Sequence, residues 1–183
     1  MINLRCRTEY SFRKAFGKVN DVIACVEEDT LGICDTGTWG HTVFAKACKD
    51  AGKRPIFGVE IPFVIDPSFH KKQEVNDMSF FAKNNSGLEE IYGLVSKSAK
   101  QNNRLAYEDL FDISDDVIIL SGSKPEWGLL PAMKKGTLFV EVNPVSFKRD
   151  TKFQMVATSD NYFPKEENRQ AYELLVGSNK VRR

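Results

Sequence analysis

The sequence predicts an α/β protein built on a parallel sheet. Short apolar, strand-like runs alternate with amphipathic helical stretches through most of the chain. Residues 117–120, Val-Ile-Ile-Leu, form a continuous apolar run of the kind buried on both faces of such a sheet. Polar residues gather where the apolar runs stop, which is the edge at which α/β sheets and barrels build their sites. The pattern suits an open sheet and a closed barrel equally.

Taken in order, residues 2–6 read as a short strand. Asn20 or Asp21 is the expected cap of a helix reaching about residue 29, with Val22, Ile23 and Val26 on one face. Residues 31–34 form a buried strand ending at Asp35. A helix over 42–50 stops at Ala51-Gly52, where glycine accepts a left-handed turn. Residues 56–65 read as a strand interrupted by Pro62, and 66–76 as a polar loop. A strand over 78–82 precedes a helix capped by Ser86 and carrying Leu88, Ile91, Leu94 and Val95. Residues 107–111 suggest a short helical turn. Strands follow over 117–120, 138–142 and 154–157. A last helix over 165–176 is expected to turn Ala171, Leu174 and Leu175 inward.

The 183 residues suffice for one domain with a full core, and 1–183 is read as a single domain. Acids and bases are mixed and nearly balance at a net charge of +1, so no global field draws the chain to nucleic acid. The basic end Lys180-Val181-Arg182-Arg183 reads as a solvated tail. No apolar stretch approaches the ~20 residues of a membrane span. The chain opens on a strand-like segment, and a signal peptide is not expected. Cys6, Cys25, Cys34 and Cys48 have no paired CxxC spacing and suggest buried free thiols in a reducing cytoplasm.

The chemistry lies in four segments. They are Leu4-Arg5-Cys6-Arg7-Thr8-Glu9-Tyr10-Ser11, Gly32-Ile33-Cys34-Asp35-Thr36-Gly37, Pro55-Ile56-Phe57-Gly58-Val59-Glu60 and Val156-Ala157-Thr158-Ser159-Asp160-Asn161-Tyr162. Phe80-Phe81-Ala82-Lys83-Asn84, Leu94-Val95-Ser96, Ile119-Leu120-Ser121-Gly122 and Leu138-Phe139-Val140-Glu141-Val142 accompany them. In this order and spacing the set resembles the PHP domain family (polymerase and histidinol phosphatase), in the form that opens the bacterial DNA polymerase III alpha subunit.

The resemblance implies a distorted seven-stranded β/α barrel. Only eleven residues, 143–153, separate the strands at 138–142 and 154–157, so the barrel is expected to be open or shortened there, with apolar surface exposed unless a partner covers it. The polymerase module of the family is not expected within this length.

In active relatives, histidines and carboxylates at the strand ends hold divalent metals that activate water and neutralise phosphoester charge. Matched position by position, the first His-x-His becomes Arg5-Cys6-Arg7. The Asp-His pair becomes Asp35-Thr36, and the glutamate persists as Glu60. Asp77 stands where a histidine opens the next strand, Ser123 replaces a cysteine, and the final Asp-x-His becomes Asp160-Asn161-Tyr162. Arginine has no lone pair for a metal. Strand alternation points Arg5 and Arg7 to one face, and the expectation is that they supply positive charge to Asp35, Glu60 and Asp160 through charge-assisted hydrogen bonds.

Plainer roles stand beside these. The arginines could be exposed on an edge strand, Asp35 and Glu60 could cap loops, Asp160 could order the turn before the last helix, and Tyr162 could simply pack. His41, after Gly40, reads as a surface or capping residue, and His70 lies in the polar loop. Neither matches a ligand position. There is no GxGxxG, Walker or Gly-x-Ser-x-Gly motif, and Ser121-Gly122-Ser123 has no partnering base.

The resemblance therefore implies a cytoplasmic, catalytically silent PHP domain, a pseudoenzyme without cofactor. It would be a scaffold or partner-binding module for a DNA polymerase body or another replication protein, touching nucleic acid only indirectly, in a setting such as a phage genome. The alternative is a phosphoesterase or exonuclease binding magnesium or manganese through Asp35, Glu60, Asp77 and Asp160. A third reading is an inhibitor that captures a host replication subunit.

Overall fold

The structure is a computed structural model that describes residues 2–69, 73–126, 128, 136–142 and 153–177. The chain forms two compact units, Met1–Phe57 with Ser159–Arg183, and Gly58–Thr158.

In the first unit, β1 (Asn3–Cys6) runs parallel to β2 (Thr30–Asp35), with Asn3 beside Leu31 and Cys6 beside Ile33. Gly32 permits this pairing, since a Cβ there would press on the backbone of Leu4. β2 is followed across the sheet by the opening residues of β3 (Arg54–Val64). Helices α1 (Val19–Ala24) and α2 (His41–Asp50) close a core of Cys6, Val22, Ile23, Leu31, Ile33 and Phe44. Each large apolar side chain buried there contributes about 1.5–3 kcal/mol relative to exposure.

α1 differs from expectation at both ends. It begins at Val19, whose burial draws the first turn into the core, so Asn20 and Asp21 lie inside the helix instead of capping it. It stops at Ala24, and beyond it the carbonyls of Val26 and Glu28 accept hydrogen bonds from Lys53 Nζ (2.7 and 2.8 Å). The chain re-enters this unit at residue 159, bridges Cys6 in parallel through Asn161, and continues into a 3₁₀ turn (Glu166–Asn168) and α4 (Arg169–Gly177). Leu174 does not face inward. It is 72% exposed, and no residue of α4 is fully buried.

In the second unit, β3 pairs antiparallel with β4 (Asn76–Ala82), and β4 pairs antiparallel with β6 (Val117–Leu120). β6, β7 (Leu138–Val142) and β8 (Gln154–Ala157) are mutually parallel neighbours. The two-residue β5 (Leu105–Ala106) lies parallel to the end of β3. The α/β class and its seven principal strands agree with the sequence, while β4 reverses the expected parallel order. The residues joining β3 to β4 include no described helix, and a plain loop returns a strand antiparallel. Pro62 does not interrupt β3. The ladder to β5 starts only at Phe63, so the flank facing away from β4 has no bond to lose at residue 62.

Alternation sorts this sheet into two faces. Val59, Ile61, Phe63, Met78, Phe80, Ile119 and Leu138 join Ile91 and Leu94 of α3 (Asn85–Lys100) in one core, where Phe63 stacks on Phe80 at 5.5 Å. Asn84, not Ser86, caps α3, accepting from Gly87 N–H at 3.0 Å. Asn84 also donates to Asp116 Oδ1 at 2.7 Å, a tertiary tie that Ser86 does not have here. β8 pairs with β7 throughout, so the ladder continues past the short connection. Residues 143–152 of that connection lie outside the described residues. The apolar surface expected there falls on those residues; Met155 of β8 is 50% exposed.

Candidate functional site

β1 carries two arginines to the end of the first unit's sheet. The alternation that buries Cys6 in the core sends Arg5 and Arg7 to the other face, and both are buried. Asp160 Oδ1 joins them, 3.1 Å from Arg5 Nη2 and 2.9 Å from Arg7 Nη1. The Asp160 side chain remains 34% exposed. The Arg7 guanidinium lies over the Tyr162 ring at 4.7 Å, and Tyr162 stacks on Tyr172 at 5.6 Å. Backbone bonds align the two segments: Arg7 N–H donates to the Asn161 carbonyl (3.4 Å) and Phe16 N–H to the Tyr162 carbonyl (2.8 Å). Asp160 is thus an ion-pair partner and Tyr162 a packing ring.

Asp35 departs from expectation. It is fully buried at the end of β2, but its bonds run to hydroxyls and backbone instead of the arginines. Thr8 N–H donates to Oδ1 (2.7 Å), Thr8 Oγ1 to Oδ2 (2.6 Å) and Ser11 Oγ to Oδ1 (2.6 Å). The chain after β1 turns here, Ser11 N–H donating to the Thr8 carbonyl, and so brings both hydroxyls over the carboxylate. Thr36, the other half of the expected pair, is half-buried, and its N–H donates to Ser11 Oγ (3.3 Å). Thr8 and Ser11 were the residues missed. The visible signal was two hydroxyls three positions apart beside a strand-end acid.

In the second unit, Glu60 is 2% exposed and sits opposite Ser79, on the sheet face away from the apolar core. Asp77, half-buried, lies diagonally on the same face, about 7–8 Å from Glu60 by strand geometry. Ser123 is exposed just past Gly122, whose positive φ of 72° lets the chain pass close to Asn76. Asn76 holds that turn, donating to the Ser121 carbonyl (2.7 Å) and accepting from Lys124 N–H (3.0 Å). Glu141 is a buried acid that sequence reasoning left unassigned. Its N–H donates to Ser121 Oγ at 3.1 Å, and the signal for it was a lone acid inside the apolar run of β7.

His41 is a core residue, 5.2 Å from the Phe57 ring, because the first turn of α2 packs on the start of β3. His70 lies outside the described residues. Cys6, Cys34 and Cys48 are buried free thiols as expected, but Cys25 is exposed at the end of α1. Within neither unit do three described His, Cys, Asp or Glu side chains group to hold a metal ion. Among the described residues no helix is long and apolar enough to cross a membrane.

The PHP domain family matches residues 3–174, spanning both units, and the chain belongs to that family. Among curated proteins it is similar to the DNA polymerase III subunit alpha of Haemophilus influenzae, 32% identical over 133 residues, covering 66% of this chain and 11% of the relative. It is similar also to the DNA polymerase III subunit alpha of Borreliella burgdorferi, 28% identical over 145 residues, covering 72% of this chain and 12% of the relative. The chain therefore spans about a tenth of the length of these relatives. A solved structure from Bifidobacterium adolescentis, assigned as a metal-dependent phosphoesterase, shares 18% identity at a TM-score of 0.39, covering 54% of this chain and 33% of that one.

Proposed function

We propose that this chain is a catalytically silent PHP domain that serves as a scaffold or partner-binding module beside a replicative DNA polymerase in the cytoplasm. The observation that carries the reading is the buried Arg5–Arg7 pair closed on Asp160 at the end of β1. The PHP family implies divalent metals at such strand ends, and the donors of the first unit do not fit them. Guanidinium groups cannot ligate and repel cations. The Asp35 carboxylate accepts three hydrogen bonds from Thr8 and Ser11, and Asp160 bonds two arginines. The likeness to polymerase III alpha subunits supports the replication setting, and a compact replicon such as a phage genome would accommodate a PHP domain encoded apart from its polymerase.

Metal analysis and a phosphodiesterase assay in manganese test the reading on the purified chain. We expect less than stoichiometric metal, no turnover, and no manganese-dependent rise in thermal stability, where a ligand at a hundred times its Kd would add about 2.7 kcal/mol. Bound manganese with activity lost in Asp35→Asn would establish the phosphoesterase reading in its place. Co-purification with a DNA polymerase large fragment is the expected partner result. Capture of an intact host replication subunit, with inhibition of its synthesis, would favour an inhibitor.

A further inference from the structure

The segment 159–177 is attached to the first unit in an unusual way. It contributes no fully buried residue through α4, whose Tyr172 packs on the Tyr162 and Phe163 rings of the same segment. Two grooves flank it. One, of about 180 Å³, lies between Asn161, Phe163 and Pro164 of the segment and Cys6, Arg7 and Cys25 opposite. The other, of about 460 Å³, separates Leu175 from Phe12 and Phe16. Hydrophobic burial scales with apolar area removed from water, so a segment bordered by open grooves gains little from it. Its attachments gather at one end, where residues 160–164 bond Arg5, Arg7 and Phe16 and the Pro164 ring packs on Gly17. Asp160 meets two arginines, Tyr162 lies under Arg7, and Tyr172 of α4 reaches this anchor through the Tyr162 ring.

We infer that residues 159–177 form a strap, pinned by Arg5 and Arg7 through Asp160 and Tyr162, that opens locally while the rest of the first unit stays folded. Opening uncovers the edge of β1 that bridges Asn161, where Cys6 borders the smaller groove, together with the two guanidinium groups. The strap rests on the proposed metal-free strand end, since the arginines do the holding. Elements with few buried apolar contacts are the ones that open below the global unfolding free energy. Cys6 is the natural reporter. It is buried beside Asn161, and burial pushes its thiol up to about 12, so the closed form is doubly protected.

The experiment is timed alkylation with N-ethylmaleimide, read by mass spectrometry cysteine by cysteine, on the whole chain. Cys25 is exposed and reports full reactivity, while buried Cys34 and Cys48 report global unfolding. In Asp160→Asn, Cys6 is expected to label about tenfold faster than in the wild type, equivalent to about 1.4 kcal/mol, with Cys34 and Cys48 still protected. Tyr162→Leu, which leaves the ion pairs in place, is expected to act in the same direction, and amide exchange over 166–177 should accelerate in both variants. Cys6 labelling at the wild-type rate in both variants, or only together with Cys34 and Cys48, overturns the strap. EDTA is expected to leave wild-type labelling unchanged. Opening by EDTA would show that a metal holds the segment and would overturn the arginine pin. Metal-dependent phosphoesterase activity with EDTA-insensitive labelling would instead sink the proposed function and leave the strap standing.

Discussion

Asp35→Ala tests whether the strand-end acid is a structural bracket or a ligand in waiting. The carboxylate is fully buried and accepts from Thr8 N–H, Thr8 Oγ1 and Ser11 Oγ at 2.6–2.7 Å. Truncation strands three donors beneath the surface, each costing about 1–3 kcal/mol when left unmade. Removing a buried charge returns part of this through the desolvation it no longer suffers, and we expect a net loss of about 3–4 kcal/mol. Asp35→Asn keeps an oxygen for the two bonds at Oδ1, and the Thr8 hydroxyl can rotate to accept from the new amide, so about 1–2 kcal/mol is expected. Urea unfolding followed by circular dichroism measures both. With a slope near 2 kcal/mol/M, the midpoint should fall by about 1.5–2 M for alanine and by less than about 1 M for asparagine. Asp50→Ala is the control, an exposed acid paired to exposed Lys46 at 2.6 Å, where solvent screening leaves little to lose. If Asp35→Ala costs no more than Asp50→Ala, the bracket is an error.

Two further outcomes follow from the same geometry. Asn84→Ala removes the side-chain cap of α3 and its bond to Asp116, and should cost about 1 kcal/mol in the urea midpoint; no change would mean the helix end is satisfied by water. Burial pushes the thiols of Cys6 and Cys48 up from 9.0 to about 12 and about 11. The folded chain therefore holds these protons more tightly than the unfolded one. Their contribution is full below pH 9 and is lost as pH rises toward 11 and 12, by at most about 1.4 kcal/mol per pH unit for each thiol. The Cys6→Ala, Cys48→Ala double variant should lose stability less steeply above pH 9, and equal slopes in a pH series of urea midpoints would refute the assignment.

Much of the scaffold was legible because it rests on local pattern. The apolar runs at Val117–Leu120, Leu138–Val142 and Gln154–Ala157 are strands with those bounds. Errors fell where local signals are degenerate. Asn84 and Ser86 both make good caps, and only the tie from Asn84 to Asp116, 32 residues away, distinguishes them. Leu174 has the spacing of a core residue, yet it lies on the exposed side of α4 while Ala171 and Leu175 are half-buried, which periodicity cannot report. Helical position alone could not show that His41 meets Phe57 of a later strand.

The site divides along the same line. Sequence by itself determined that two permanent cations, Arg5 and Arg7, stand at the end of β1, and alternation placed both on one face. Tertiary structure decided their partners. Of the acids available, Asp160 arrives from the far end of the chain to pair with them, while Asp35, much nearer in sequence, is taken by Thr8 and Ser11. The physical reason is that residue type sets what a side chain can bond, whereas an ion pair requires atoms within about 4 Å. Only the folded path of the backbone brings residues so far apart in sequence to that distance.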